Sequence, residues 1–466
     1  MTMEVLADWV SRISNVVWNG LLLYLLVGTG IVFTIRTRFI QVRKFGAGWK
    51  HLFGHFSLNG EKAGKDGMSP FQALTTAIAA QVGTGNIAGA ATALYSGGPG
   101  AIFWMWLSAF FGMSTIYGEA VLAQKYKTTD DNGHVTGGPI YYIRARFTGK
   151  FGKFLAGFFS VAIIFALGFT GNMVQANSIS VAFNTAFGAP MIVVGIICAI
   201  IAAFIFLGGV GRIASVTEKV VPIMALFYMG GAVIVLWVHR ANLPQAFAQI
   251  CSMAFDTRAG TGGVLGYGMT QAVRAGVSRG IFSNEAGLGS SVMVHAAADA
   301  REPCEQGMWA VFEVFFDTIV MCSVTAFVIL TSGVYDVSRY ALASGTPLLS
   351  QLTTGAQLTA EAFSTVFGRF GGGFVAVSLA LFAFSTLLGW SYYGQRAAAY
   401  LMGERVIPVY KAAFLLAAAA GCMMRLEPVW ALSDTFNGLM ALPNLAGVLA
   451  LRRQVIAEWC RYKHHL

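Results

Sequence analysis

The sequence predicts an all-α membrane protein, and three observations predict it. Hydrophobic residues make up 56% of the 466 positions and charged residues 11%, where soluble domains carry about 25% charged. Apolar runs long enough to cross a bilayer recur along the whole chain. Two of these runs are interrupted by glycine and polar residues at mid-membrane depth, where freed backbone is tolerated only against protein, a water-filled cavity or a ligand. A soluble helical protein needs charge to cover its surface, and its core rarely calls for apolar runs of about 18 residues or more. The 55 glycines and 36 phenylalanines suit close helix packing within an apolar exterior.

Hydropathy places about eleven transmembrane spans, near residues 13–35, 69–95, 99–124, 154–185, 190–208, 213–238, 263–296, 306–333, 373–402, 408–424 and 429–451. The first lacks a basic lead-in and a clear small-residue cleavage site, so it reads as a retained span and not a cleaved signal. Residues 334–372 are rich in Ser, Thr and Gly; they are too polar to cross and are expected to pack over one mouth. All 466 residues are read as one polytopic domain: 1–68 an N-terminal span and basic inner loop, 69–238 a first repeat, 263–451 a second. With the N-terminus outside and the C-terminus in the cytoplasm, most of the 31 Lys and Arg fall inside, in the stretches Arg36 to Lys65, Lys125 to Lys153 and Arg452 to Lys463. That distribution explains the net charge of +10 without a nucleic-acid partner. The six cysteines are scattered, with no CxxC pair, so no metal site, redox motif or disulfide framework is expected, nor any cofactor or obligate protein partner.

The interruptions are Gln81-Val82-Gly83-Thr84-Gly85-Asn86 in the second span and Ser283-Asn284-Glu285-Ala286-Gly287-Leu288-Gly289 in the seventh. Packing glycines explain Gly83 and Gly89 alone. They do not explain Gln81, Thr84, Asn86, Asn284 and Glu285 beside them, which suit a ligand-lining role. Spans 2–6 and 7–11 each open with a broken span. This is the pattern of a five-plus-five inverted repeat, with the site where the breaks meet, preceded by one extra span. The third span of each set is also polar, with Thr170, Asn172 and Gln175 in one and Ser385, Thr386 and Trp390 in the other. A lone hydroxyl in such a span often only bonds the carbonyl one turn back.

Four strings carry a resemblance: Gly83-Thr84-Gly85-Asn86-Ile87-Ala88-Gly89; Gly97-Gly98-Pro99-Gly100-Ala101-Ile102-Phe103-Trp104-Met105-Trp106; Gly137-Gly138-Pro139 with Tyr141-Tyr142-Ile143; and Phe282-Ser283-Asn284-Glu285-Ala286-Gly287-Leu288-Gly289. Together they resemble the alanine or glycine:cation symporter family, the sodium:alanine symporters of the amino acid–polyamine–cation superfamily, over about residues 15–450. The resemblance implies a sodium-coupled symporter that imports alanine, glycine or D-alanine across a bacterial inner membrane by alternating access. A proton-coupled permease for another small amino acid is the alternative. A channel would need a continuous polar stripe or rings of charge. A membrane enzyme would need an HExxH motif, a phosphate loop or a nucleophile–base constellation, and the spans spell none of these.

A zwitterion at mid-membrane needs donors for its carboxylate and acceptors for its ammonium, and a broken helix exposes both. The N–H groups around Thr84, Gly85 and Asn86 are expected to take the carboxylate. The carbonyls of Phe282 and Ser283, with the Asn284 side chain, are expected to take the ammonium. Gln81 and Gln175 add side-chain contacts, and Phe282, Thr386 and Trp390 bound the pocket. A hard cation wants oxygens. The related fold implies a sodium site from the carbonyls of Ala79, Val82 and Phe382 with the hydroxyls of Ser385 and Thr386. Among the other ionisable groups, Glu285 is expected to fix the broken backbone. Glu119 is read as a structural residue near the inner face, and His295 as a packed inner-face residue. Asp317 has no evident partner, which leaves a proton or gating role open. Arg274 and Arg279 stand before the second break, to gate an outer vestibule or to snorkel.

Overall fold

The computed structural model describes residues 17–46, 68–130, 133–255, 268–343, 351–424 and 426–463. The start of the first span, residues 263–267 of the seventh, and Lys50, Lys62 and Lys65 of the basic loop lie outside the described residues. Helices account for nearly all of what is described. The exception is a short antiparallel hairpin, β1 (Thr128–Thr129) with β2 (Val135–Thr136).

Helix bounds follow the apolar runs. A π turn at Val17–Leu22 leads into α1 (Leu23–Arg36). The second span is α2 (Pro70–Gln81), a break, then a π turn (Gly85–Gly89) running into α3 (Ala90–Gly97). Ser69 starts α2 with a full capping box, bonded reciprocally to Gln72, and Pro70 occupies the first turn. After α4 (Gly100–Lys125) comes a short helix, α5 (Pro139–Arg146), then α6 (Gly149–Phe187) with a π segment at Ile164–Gly171. Next are α7 (Met191–Leu207), α8 (Gly209–Val238) and the short α9 (Leu243–Met253). The seventh span is α10 (Met269–Asn284), a break, and α11 (Val292–Ala297). It is followed by α12 (Pro303–Ser332), with a π segment at Phe315–Cys322, and a short α13 (Val337–Ala343). The chain closes with α14 (Gly355–Phe367), α15 (Gly371–Met402), α16 (Ile407–Gly421), α17 (Leu426–Ala450) and α18 (Arg452–Tyr462).

Among the described residues, five helical stretches are long and apolar enough to cross a membrane: Gly100–Lys125, Gly149–Phe187, Gly209–Val238, Pro303–Ser332 and Gly355–Met402, the last made of α14 and α15 joined by a 3-10 turn. Two shorter apolar helices, Leu23–Arg36 and Met191–Leu207, join them. One face of α7 and α8 is bare: Ile196, Ile200, Phe204, Leu207, Leu226 and Trp237 are all exposed. A face of that size is at home only against hydrocarbon. The polar stretch 334–372 contains the short helix α13 and then α14. Leu358, Ala362 and Phe363 bury its inner face, and the Thr359 hydroxyl donates to the Ile87 carbonyl at 3.0 Å. It therefore packs directly on the first broken helix.

Glycines set how closely the site-bearing helices approach. A Cβ on Gly276 of α10 would lie 2.2 Å from the Ala101 carbonyl oxygen of α4, and one on Gly389 of α15 would lie 2.5 Å from the Ala80 Cβ of α2. Both approaches leave no room for a methyl group. Gly276→Ala is therefore expected to destabilise the fold by about 1–3 kcal/mol, the usual cost of overpacking. Gly28→Ala in α1, where nothing lies within 4 Å, is expected not to. Thermal unfolding of the two purified variants in detergent, followed by tryptophan fluorescence, checks this.

Candidate ligand and cation site

The first interruption is narrower than the sequence suggests. α2 ends at Gln81 because Val82 leaves helical geometry (φ −74°, ψ 89°), and helix resumes at Thr84. The freed amides find partners at once. Gly83 N–H donates to Asn86 Oδ1 at 2.9 Å, and Thr84 N–H donates to Gln175 Oε1 at 3.2 Å. Asn86 N–H donates to the Gly83 carbonyl at 3.3 Å.

The second interruption is wider, spanning residues 285–291. Glu285 sits at φ +56°, a left-handed geometry that non-glycine residues adopt rarely and at a cost of about 1–3 kcal/mol. Its carboxyl group is held at both oxygens, by Trp390 Nε1 at 2.6 Å and by the Ser290 hydroxyl at 2.5 Å. Gly287 (φ +88°) is gripped from both sides. Its N–H donates to Glu119 Oε2 at 3.1 Å, and its carbonyl accepts from Asn444 Nδ2 at 2.9 Å. The same Asn444 amide also bonds Glu119, and Asn444 Oδ1 accepts from the Tyr142 hydroxyl. Asn284 bridges the break with Oδ1 on Ala286 N–H and Nδ2 on the Thr318 hydroxyl, both at 3.0 Å.

The two breaks meet. A Cβ on Gly85 would lie 3.0 Å from the Ser283 Oγ and 3.1 Å from its Cα. Asp317 of α12 bonds both sides: its Oδ1 accepts from Asn86 Nδ2 at 2.7 Å and from the Ser283 hydroxyl at 3.0 Å, while Oδ2 takes the Thr318 hydroxyl at 2.8 Å. One turn earlier, Glu313 does the same on the far side of the breaks. Its Oε1 accepts from Gln81 Nε2 at 2.9 Å and from the Ser291 hydroxyl at 3.1 Å.

The residues expected to hold a cation also converge. The Thr386 hydroxyl lies 3.1 Å from the Ala79 carbonyl, 3.4 Å from that of Val82 and 3.0 Å from that of Phe382. The Ser385 hydroxyl lies 3.2 Å from Ala79 O and 2.8 Å from Phe382 O. Five oxygens from α2 and α15 thus face one another in a buried position, the donor set a hard cation prefers. A Cβ on Gly83 would sit 2.4 Å from the Thr386 hydroxyl, so the break itself makes room for these groups.

Several expectations change. The amides of Thr84 and Asn86, two of the three N–H groups assigned to a ligand, already have partners. The Asn284 side chain closes its own break in place of lining a pocket. Glu119 acts at the second break, where it binds the Gly287 amide, a structural role. Asp317 does have partners: its neighbour Thr318, and Asn86 and Ser283, which lie far off in sequence. Arg279 pairs with Asp434, and its guanidinium lies over the Phe282 and Trp430 rings at 5.6 and 5.1 Å. Phe282 meets Trp390 edge-on at 6.4 Å. The helix ends at Asn284, which puts the carbonyls of Phe282 and Ser283 beyond helical donors. Two buried polar atoms at the first break, Gln81 Oε1 and the Thr84 hydroxyl, have no partner, and such atoms call for a ligand or water. The grips of Glu313, Asn444 and Tyr142 on the breaks were not anticipated, although a lone acid or amide inside an apolar span is the signal that marks each of the first two.

Comparison with known proteins adds a lineage. A family model described as the sodium:alanine symporter family matches residues 3–466. The sodium/alanine symporter AgcS of Methanococcus maripaludis is 43% identical over 455 residues, 97% of this chain and 96% of that protein. The probable sodium/glutamine symporter GlnT of Bacillus subtilis is 38% identical over 453 residues, 97% of this chain and 90% of that protein. Among solved structures, a Na+-coupled sialic acid symporter in a substrate-bound outward-open state superposes with a TM-score of 0.56 at 14% identity, over 92% of this chain and 86% of that one. That last likeness is one of fold.

The Asp317 contacts generate a test. Asp317→Asn turns one acceptor into an NH2 group among three donors, and is expected to cost about 1.5–3 kcal/mol, the worth of hydrogen bonds to a charged group. Asp299→Asn, at an exposed position, is expected to cost nothing measurable. Thermal unfolding midpoints of the two variants check the difference.

Proposed function

The chain belongs to the sodium:alanine symporter family, and from that premise we propose that it imports small neutral amino acids, alanine, glycine or D-alanine, together with Na+. It is a multi-pass membrane transporter and not an enzyme. The finer reading is ours: about eleven spans, arranged as one N-terminal helix and a five-plus-five inverted repeat in a single domain, in a bacterial plasma membrane. The N-terminus lies outside, and no cofactor acts beyond the coupling ion.

One observation carries the reading: two interrupted helices abut at Gly85 and Ser283, next to five convergent oxygens from α2 and α15. Na+ is held by the carbonyls of Ala79, Val82 and Phe382 and the hydroxyls of Ser385 and Thr386. Held between groups of both helices, the ion stiffens the junction of α2 with α15. The substrate carboxylate goes to the Gly85 N–H and the unpartnered Thr84 hydroxyl; its ammonium goes to the carbonyls of Phe282 and Ser283 and to Gln81 Oε1. Gln175 holds the Thr84 amide in place. Phe282 and Trp390 wall the side-chain end, where each added methylene costs about 1–3 kcal/mol. The ion braces the same break that receives the carboxylate. Each ligand therefore favours the other, and coupling follows from reciprocal linkage.

Purified protein in liposomes is expected to accumulate labelled alanine only under an inward Na+ gradient. Uptake unchanged with choline in place of Na+, and driven by a pH gradient, overturns the coupling. Thr386→Ala is expected to raise the Na+ concentration for half-maximal uptake about tenfold or more, equivalent to about 1.4 kcal/mol, while Thr386→Ser stays near the parent. A shift confined to the alanine dependence places the cation elsewhere.

A further inference from the structure

Glu313 and His295 form a buried pair, Oε2 to Nε2 at 2.7 Å with both side chains fully shielded, that neither substrate nor Na+ binding uses. We infer that this pair is a proton-binding site, filled from the cytoplasmic side when the inner halves of the two broken helices close together and emptied when they part. The inference rests on the orientation proposed above.

The pair sits where those inner halves join. Glu313 Oε1 takes Gln81, the last residue before the first break, and Ser291, which leads into the helix after the second. His295 is in that same helix, α11. Around the pair, the Met68 N–H donates to Ala297 O and the Asp299 N–H to Met68 O, both at 2.9 Å, tying the start of the first broken span to the end of the second. Opening the inner side has to pull Gln81, Ser291 and His295 apart from Glu313 or from each other.

Donor counting shows how a proton is stored. Glu313 Oε1 receives hydrogens from two neutral donors, and Oε2 faces the imidazole. On the other ring nitrogen, His295 Nδ1 lies 2.8 Å from Gln306 Oε1, an acceptor. With both ring nitrogens facing acceptors, the pair holds one proton more than a neutral histidine beside a carboxylate. Gln306 Nε2 is buried without a partner, which gives the amide a second use. After a half-turn its NH2 donates to a bare Nδ1, and the neutral ring still donates to Glu313. The site therefore serves both forms without stranding a ring nitrogen. Loading adds one proton from cytoplasmic water to Nδ1, and unloading returns it. The exit is short. Gln124 Nε2 donates to the carbonyls of His295 and Ala298 at 2.5 and 2.9 Å, and the half-buried Lys127 ammonium donates to Gln124 Oε1 and Ala298 O.

The groups facing the pair are carboxyls and one phenol: Glu119 of α4, Glu285 of the second break, Asp317 of α12 and Tyr393 of α15. Each of the three carboxyls is engaged by its own donors. Among the described residues around Glu313, His295 alone can carry positive charge there. When the pair separates into water, His295 becomes an ordinary histidine that releases its proton near neutral pH. Acid in the cytoplasm thus holds the inner side shut, and alkali frees it.

Two measurements test this. In the first, the thermal unfolding midpoint of the purified full chain is followed from pH 6 to pH 9. A proton bound in the folded protein but not the unfolded one stabilises at low pH, and that stability is lost as pH rises. The parent is expected to lose about 2 °C or more relative to His295→Gln across this range, and Glu313→Gln is expected to behave like His295→Gln. Parallel curves for parent and variants overturn the proton site. In the second, alanine uptake into liposomes is measured with external pH and Na+ fixed and internal pH varied. The parent is expected to slow about threefold or more between internal pH 8 and pH 6, spanning the histidine range, while His295→Gln stays flat. A flat parent overturns the link between proton and opening. If neither variant folds, the internal-pH profile of the parent decides alone. A pH-dependent midpoint without any Na+-driven alanine uptake keeps the proton site and sinks the transport reading, so the two failures are distinguishable.

Discussion

The structure depends on two carboxylates one turn apart on α12. Breaking a helix at mid-membrane frees several amides and carbonyls that lipid cannot satisfy, each at a cost of several kcal/mol. Here two such breaks face each other, and α12 runs past both. Asp317 fastens Asn86 to Ser283, on the side where the first helix resumes and the second has not yet stopped. Glu313 fastens Gln81 to Ser291, on the other side. Remove α12 and both junctions lose the carboxyl that bridges them. Of the freed backbone groups themselves, the Gly287 amide and carbonyl are satisfied by Glu119 and Asn444, which come from two further helices.

This arrangement divides the polar groups by task. Those in Asn284, Asn86 and Glu119 are consumed in keeping the broken backbone saturated, as low-dielectric surroundings require. A smaller set stays open: the Thr84 hydroxyl, Gln81 Oε1, and the hydroxyl–carbonyl cluster of α2 and α15. A site that needs the ligand only for its own bonds, and not to hold the fold together, can empty without collapsing. Alternating access asks for that property. α8, which shares the bare apolar face with α7, reaches the hydroxyl–carbonyl cluster through Met224, whose Sδ accepts from the Ser385 hydroxyl at 3.4 Å.

Much of the helical layout was legible because apolar runs are a local signal. The bounds of α4, α8, α12 and α15 fall within a few residues of the runs that foretold them. The short helices α5 and α14 were not, since each carries polar residues that a search for apolar runs passes over. The Leu358, Ala362 and Phe363 spacing is the trace it leaves. The two breaks were legible as glycines next to amides, and the five oxygens came from likeness to a known fold. What the residues could not disclose is which amides the protein keeps for itself. Asn86 and Asn284 have the same chemistry whether they meet a ligand or a neighbouring helix, and their partners on α12 are distant in sequence. Asp317 looked solitary for the same reason.

The π segment at Phe315–Cys322 gives α12 a further constraint. A π turn holds more residues than an α turn, so the chain rotates less per residue across it. Asp317 lies inside this wide turn and Glu313 just before it. The slower rotation brings two side chains four positions apart closer to a single line, pointing at the seam between the breaks. Deleting one residue from this stretch would leave every atom of both carboxyls present yet swing them out of phase. The length of α12 is therefore as much a part of the site as its acids.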